Sequence, residues 1–359
     1  MISVYFHIPF CTKKCPYCHF YVIPDQVRFH DLLREALLLE WERQKPLIQG
    51  KTIVSIYFGG GTPSLFGAEA IGEVIRRCGE LHETEITVEA NPEESTQELF
   101  SALKSVGVNR ISLGVQSLDD RSLQILERTH NAAKAKEAIF SASAAGIENI
   151  SIDLMYDLPG QTESSWVYTL DQLNDLPIRH LSLYNLTIEP HTSFHKRKVV
   201  QPAPEESLRF LHRALEVFER LGFDRYEISA FAKPGFESRH NLGYWTFRPF
   251  LGLGPSAFSY FEGERFQNVP NLQRYYKALK RGESPICFRE KLPYPKNVKE
   301  QIAVQLRLKE GILLPEVPEE IASSIYSLVD QGLLERNGPR IRLTERGKLF
   351  YDSVAAEII

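Results

Sequence analysis

The chain is poor in cysteine, methionine and tryptophan, with 5, 2 and 3 of each in 359 residues. It has no surplus of either charge: 42 Lys and Arg stand against 46 Asp and Glu, a formal net charge of −4. It also lacks any apolar run long enough to cross a bilayer. Each shortage excludes something. Balanced charge supplies no basic field for a nucleic-acid backbone. Five cysteines in so long a chain do not make a disulfide-stapled scaffold, which belongs to short chains in oxidising compartments. No membrane span is expected, and a strand-like run starting at Ile2 leaves no room for a signal or transit peptide. With 43% hydrophobic and 25% charged residues the chain reads as a soluble globular protein. Its length suits one large barrel with an appendage, or two to three domains.

The few cysteines are unevenly placed. Three lie in Cys11-Thr-Lys-Lys-Cys15-Pro-Tyr-Cys18, directly after the apolar run Ile2-Ser-Val-Tyr-Phe-His-Ile8. Clustered thiols without a leader point to a reducing compartment, so a cytoplasmic location is expected. Cys78 and Cys287 are isolated and are expected to be small buried hydrophobes. Soft thiolates at this spacing select zinc, copper(I) or iron–sulfur. A tetrahedral zinc site with His19 as fourth ligand is one reading, but structural zinc sites come as two ligand pairs, and no second pair exists. A dithiol at Cys15 and Cys18 leaves Cys11 idle. Three thiolates round one cluster, with a coordination position left open, use all three.

The first two-thirds of the chain alternates strand-like runs with helical patterns. Strands are expected over Ile2–Ile8, Thr52–Phe58, Glu85–Glu89, Arg110–Val115, Asn149–Met155 and Arg179–Leu186, nearly apolar on both faces as buried parallel strands are. Helices are expected over Val27–Gln44, Ala68–Leu81, Gln97–Val106, Asp119–Leu126, Ala132–Ala145 and Glu163–Asn174. Six β-α units imply a parallel sheet with right-handed crossovers, either doubly wound or an incomplete barrel. Chemistry then gathers beyond the carboxyl ends of the strands. Those ends carry Gly59-Gly-Gly-Thr-Pro63, Glu89-Ala-Asn-Pro92, Gly114-Val-Gln-Ser117 and Asp153-Leu-Met-Tyr-Asp157. Further on, Glu205–Leu221 is an amphipathic helix and Tyr226–Phe231 a short strand. His240-Asn-Leu-Gly-Tyr-Trp245 suits either a hydrogen-bonded core corner or a flat apolar cofactor with an axial imidazole. The last seventy or so residues read as helix, hairpin with a turn at Asn337-Gly338, and a closing helix Glu345–Ile358, a winged-helix-like pattern without clustered basic charge.

At its C-x-x-x-C-x-x-C motif the chain resembles the radical S-adenosylmethionine (SAM) superfamily. Tyr5-Phe-His-Ile-Pro-Phe-Cys11 narrows the resemblance to the branch of oxygen-independent coproporphyrinogen III oxidases and HemW-type haem chaperones. The resemblance implies a partial (β/α)6 barrel over 1–232, a connecting segment over 233–290 and a winged-helix-like α+β module over 291–359. It implies a [4Fe–4S] cluster on Cys11, Cys15 and Cys18, whose fourth iron takes SAM and whose electron cleaves it to methionine and a 5′-deoxyadenosyl radical. SAM is expected against Tyr5, Gly60, Gly61, Thr62, Glu89, Gln116, Arg128 and Asp153, with Asp157 standing where the motif has Gly. Phe20 in place of the oxidases' fourth cysteine, the early first strand, and His240-Asn241…Tyr244-Trp245 favour the chaperone. Pro255-Ser-Ala-Phe258 departs from the pattern by lacking a His. Haem is expected against His240, Asn241, Tyr244 and Trp245. The expected partners are a respiratory-type haem-acceptor protein and an electron donor such as a flavodoxin or ferredoxin, with no nucleic acid and with peripheral membrane contact left open. The enzyme alternative is SAM-dependent oxidative decarboxylation of coproporphyrinogen III. A third reading is a zinc-bearing regulatory protein with a winged-helix reader.

Overall fold

The first strand, β1 (Ile2–Ile8), sets the pattern for the molecule. Ile2, Val4, Phe6 and Ile8 are fully buried in the main apolar core, while the intervening Ser3, Tyr5 and His7 turn to the opposite face. The computed structural model describes residues 1–314 and 317–359. Its main sheet continues through β4 (Ile53–Gly60), β5 (Glu85–Ala90), β6 (Arg110–Gln116), β7 (Asn149–Tyr156) and β8 (His180–Asn185), each parallel to the last. Between them run α1 (Val27–Gln44), α2 (Ala68–Arg77), α3 (Gln97–Ser105), α4 (Asp120–Ile125) with α5 (Ala132–Ala144), and α6 (Glu163–Asp171). The six-unit β-α alternation is thus present, with bounds that differ by a few residues.

The expectation of strands apolar on both faces is corrected. Ile86, Val88, Ile111, Leu113, Ile150, Ile152 and Leu181 join the core under the helices. Their neighbours Glu85, Thr87, Glu89, Arg110, Ser112, Ser151, Asp153, His180 and Ser182 do not. Period-2 alternation sends one set to each face of a sheet, and here the second face lines a polar interior. Burying Phe6, Phe58 or Leu113 contributes roughly 1.5–3 kcal/mol each; the opposite face is held by hydrogen bonds. Ser55 Oγ reaches Ser3 Oγ at 3.0 Å, and Ser151 Oγ meets His180 Nδ1 at 2.8 Å.

The helices begin where local chemistry starts them. Thr96, Asp119, Asn131 and Thr162 each accept a hydrogen bond from a first-turn amide, satisfying donors that a helix start leaves free. Along α1, Leu33, Ala36, Leu37, Glu40, Trp41 and Gln44 form one buried stripe. Glu40 is a fully buried carboxyl in that stripe. It accepts from the Gly254 amide at 2.9 Å, Asn268 Nδ2 at 2.7 Å and Tyr275 Oη at 2.5 Å, and burial pushes it up to about 7.

The sheet does not stop at residue 232. After α7 (Ser193–Lys196), α8 (Pro204–Arg220), β9 (Asp224–Arg225), β10 (Ala230–Ala232) and α9 (Arg239–Trp245), strand β11 (Phe250–Leu253) lies parallel to β1. β12 (Phe258–Phe261), β13 (Glu264–Asn268), α10 (Leu272–Lys280) and β14 (Ile286–Lys291) extend that edge. The segment over 233–290, expected to be a connection, thus carries four further strands of this sheet together with α9 and α10. Twelve strands follow the order β14-β13-β12-β11-β1-β4-β5-β6-β7-β8-β10-β9, and among the described residues the two ends of this sheet do not pair.

Residues 296–358 have their own apolar cluster, including Ile302, Leu306, Ile325, Leu334, Ile341 and Val354. It is built from α11 (Lys296–Gln305), β15 (Ile312–Leu313), α12 (Glu319–Asp330), the hairpin β16 (Leu334–Asn337) and β17 (Arg340–Leu343), α13 (Glu345–Leu349) and α14 (Tyr351–Ile358). The hairpin turn falls at Gly338-Pro339, one residue beyond the expected Asn337-Gly338, because Asn337 still pairs with Arg340. The closing helix breaks at Phe350, whose φ of −108° and ψ of 27° are not helical. No helix among the described residues is long and apolar enough to cross a membrane.

Candidate cluster and cofactor site

The three cysteines lie on one loop at the carboxyl end of β1. β2 (Phe10–Cys11) pairs with β3 (Ile23–Pro24), which closes the loop at its base. Three further ties hold it. The Phe194 amide donates to the Pro16 carbonyl at 3.0 Å, His7 Nε2 meets the Tyr21 carbonyl at 3.0 Å, and Lys14 Nζ donates to the Phe20 carbonyl at 3.2 Å. A loop so fixed holds Cys11, Cys15 and Cys18 partly exposed at the edge of a cavity of about 460 Å³. Among the described residues, no three His, Cys, Asp or Glu side chains converge to hold a single metal ion.

Burial pushes the Cys11 thiol up to about 11 and also raises Cys18, so both hold protons when nothing is bound. A metal that takes the thiolates must displace those protons. Thr62 Oγ1 donates to Cys11 Sγ at 3.7 Å, which favours its thiolate, and Arg128 Nη1 donates to Cys15 Sγ at 3.3 Å. Arg128 is deeply buried. Burial alone would lower it, but Tyr17, Cys15 and Glu93 more than offset that. Its Nη2 also donates to Asn91 Oδ1 at 2.6 Å and the Gly114 carbonyl at 3.1 Å.

The cavity is lined by Gly60, Gly61, Glu89, Gln116, Arg128 and Asp153 together with the three cysteines. Six of the eight residues expected at SAM thus share one space with the cluster loop. The other two are elsewhere. Thr62 is buried behind the loop, between Asn91 Nδ2 at 2.8 Å and Cys11. Tyr5 lies lower in the interior, its hydroxyl 3.0 Å from His7 Nδ1.

Each glycine of the triple run has its own reason. A Cβ on Gly59 would sit 2.9 Å from both the Tyr5 and Tyr57 rings. One on Gly60, at φ 120°, would meet the His7 ring at 2.6 Å, and one on Gly61 the Phe10 carbonyl at 2.4 Å. Gln116 takes φ 65° where β6 ends in an irregular register, and this turns its side chain toward the cavity. Asp157 keeps the left-handed turn that a Gly would otherwise occupy, at φ 63°. Its Oδ2 accepts from Ser207 Oγ at 2.7 Å.

Glu89 is the central acid. It accepts from Tyr57 Oη at 2.7 Å and from the Gly60 amide at 3.0 Å, and burial pushes it up to about 7. Burial likewise lifts Asp153 to about 6. Two carboxyls raised by burial, facing a cavity, are poised for a cationic ligand that would return them to the charged form.

The expected haem residues do not join this site. His240 is 1% exposed, with Nδ1 2.9 Å from Ser55 Oγ and Nε2 2.9 Å from Tyr244 Oη. Both ring nitrogens are occupied inside the protein, and burial drops the imidazole to about 3. Asn241 and Trp245 lie on the same helix, α9, with the Arg307 guanidinium 4.3 Å from the Trp245 ring. His240, expected to face a flat ligand, sits in a hydrogen-bonded core corner with both ring nitrogens engaged.

Sequence reasoning missed Asn91, Tyr57 and His7. Asn91 joins Arg128 to Thr62, and its only signal was its place in the turn after β5. Tyr57 and His7 were readable as inward positions of alternating strands, had the strands not been taken as apolar on both faces.

The radical SAM superfamily model matches residues 5–173. A protein of Haemophilus influenzae named heme chaperone HemW is 35% identical, over 98% of this chain and 96% of its own length. Its namesakes in Lactococcus lactis and Escherichia coli are 32% and 31% identical, over 96% and 98% of this chain and 94% and 97% of theirs. The solved coproporphyrinogen III oxidase HemN of Escherichia coli superposes with a TM-score of 0.87, covering 99% of this chain and 89% of its own, at 23% identity. That last likeness concerns the fold.

Proposed function

The chain belongs to the radical SAM superfamily and within it to the HemW family, and from that premise we propose that it is a haem chaperone. It binds a [4Fe–4S] cluster and SAM at the barrel mouth and passes haem to an acceptor haem protein. The observation that carries this reading is full-length similarity to proteins named heme chaperones, together with a three-cysteine loop opening on a cavity with six of the eight expected cofactor residues. The cluster, when bound, supplies an electron and an iron position that no protein side chain fills. The chain's residues do the rest. Arg128 and Thr62 steady the thiolates, the Gly60-Gly61 backbone allows close approach, and Glu89 and Asp153 offer carboxylates to a cation.

The rim of the mouth suits a flat apolar macrocycle with acidic arms. Phe20 is 56% exposed and Tyr184 46%, and Val22 and Leu186 line the same opening. Lys13, Lys14 and His19 stand beside them, exposed. The same two lysines lie inside the cluster motif, where they fit an acidic electron donor such as a flavodoxin or ferredoxin. A cytoplasmic location accords with free thiols at the site.

The decisive experiment incubates oxygen-protected protein in two arms. Haem titration is expected to give a saturable Soret band that decays when an apo-haem protein is added. Coproporphyrinogen III with SAM and reductant is expected to stay unconverted. Protoporphyrinogen formation in the second arm would make the protein the oxidase instead.

A further inference from the structure

The motif His240-Asn-Leu-Gly-Tyr-Trp245 forms helix α9, which closes the lower end of the barrel interior. The helix is seated by one acid: Glu85, at the start of β5, accepts from the Arg239 and His240 amides, each at 3.0 Å. The imidazole then projects inward among the strands. Nδ1 meets Ser55 Oγ, which reaches Ser3 Oγ, and Arg248 Nη1 donates to that same Ser3 oxygen at 3.2 Å. Nε2 meets Tyr244 Oη one turn along the same helix. Such a fully satisfied buried network holds its members in one arrangement.

What the network holds leads straight to the cofactor cavity. The His240 ring packs against the Tyr57 ring at 4.8 Å between centroids, and Tyr57 stacks on Tyr5 at 6.2 Å. Tyr57 Oη donates to Glu89 Oε1 at 2.7 Å, and the other Glu89 oxygen takes the Gly60 amide. Gly59 is needed here for the tyrosines, since any Cβ would strike both rings. From helix to cavity the order is therefore imidazole, phenol, carboxylate, with no gap.

We propose that His240 and Tyr57 are positioning residues for SAM, holding the Glu89 carboxylate at the cavity, and that His240 is not a haem ligand. This rests on the reading that SAM occupies the cavity beside Glu89. An imidazole braced on both nitrogens fixes the plane of the phenol behind it. The phenol on one oxygen and the Gly60 amide on the other fix the plane in which the carboxylate's remaining lone pairs face the ligand. Losing a hydrogen bond to a charged group costs enough to weaken binding about tenfold or more.

The test uses cluster-loaded, full-length protein and two readouts, SAM binding by calorimetry with the cluster EPR signal, and haem binding by the Soret spectrum. Tyr57→Phe removes one hydroxyl and keeps the packing. Its SAM dissociation constant is expected to rise roughly tenfold, with the haem spectrum and stoichiometry of wild type. His240→Gln retains polar atoms for Ser55 or Tyr244 and is expected to lose less SAM affinity than His240→Ala, again with an unchanged Soret band. If His240→Ala does not fold, Tyr57→Phe and His240→Gln still decide the matter. Wild-type SAM affinity in Tyr57→Phe, or a shifted or absent Soret band in His240→Gln, would overturn the proposal. Wild-type protein that itself binds no SAM would refute the cofactor reading beneath it, an outcome distinct from either.

Discussion

Glu89 and Asp153 hold their protons to higher pH than they would in water, because the cost of burying their charge outweighs the help of Arg110. A carboxyl raised from 4.5 to about 7 makes the native state bind protons that the unfolded chain has released. Its contribution to stability is complete below the unfolded value and is lost as pH rises through about 7. SAM, with its sulfonium and ammonium groups, reverses the preference. Binding near pH 6.5 is expected to release protons, and SAM affinity to rise as pH passes from 6 to 8. Calorimetry in two buffers of different ionisation enthalpy measures the released protons directly; uptake, or no dependence on buffer, would contradict this. These two acids were legible in the sequence as carboxylates leaving strands toward a site. Their protonation was not, since it depends on six strands meeting round one space.

At the scale of elements, the cluster loop and the glycine turn after β4 act as one part. The Gly61 amide donates to the Ile8 carbonyl at 2.9 Å and the Thr62 amide to the Phe10 carbonyl. Gly61→Ala would press a methyl group on the Phe10 carbonyl at 2.4 Å, and the obstacle is backbone that has no rotamer to yield. The loop must move, so this variant is expected to retain markedly less iron than wild type after anaerobic reconstitution and gel filtration. Gly67→Ala is a useful contrast. A Cβ there meets nothing within 4 Å, and although φ 84° still strains the turn, iron content is expected to hold. The helix α1, Val27–Gln44, has in the structure the bounds that the sequence predicts. The sequence does not predict the strands β11 to β14. They are short and end in turns; β11 gains its pairing from β1, some 250 residues earlier, which no local pattern announces, and β12 to β14 follow from it by antiparallel pairing of neighbours. His240 shows the same limit from the other side. Family resemblance placed it in a ligand site, whereas its burial followed from strands far away in the chain.

The whole molecule is joined at α9 as well as along the sheet. Trp245 leaves the far end of that helix to meet Arg307, whose guanidinium lies between the Trp245 and Tyr351 rings at 4.3 and 5.0 Å. Arg307 Nη2 also pairs with Glu227 at 3.1 Å, an acid whose side chain is 3% exposed. Removing the arginine strands that charge, a loss of about 3–5 kcal/mol for a buried pair. Arg307→Ala is therefore expected to lower the thermal midpoint and to expose a protease-sensitive bond between β14 and α11, which limited proteolysis with mass spectrometry locates. A midpoint within 1 °C of wild type, on the order of a few tenths of a kcal/mol, would show the joint to be slack.

The sheet is open along its β14 and β9 edges, yet the cofactor cavity itself opens beside the three cysteines. A guest seated at that opening stands in front of whatever lies deeper. A haem resting on Phe20 and Tyr184 would then slow the exit of SAM, and exchange of labelled SAM from haem-loaded and haem-free protein measures that delay.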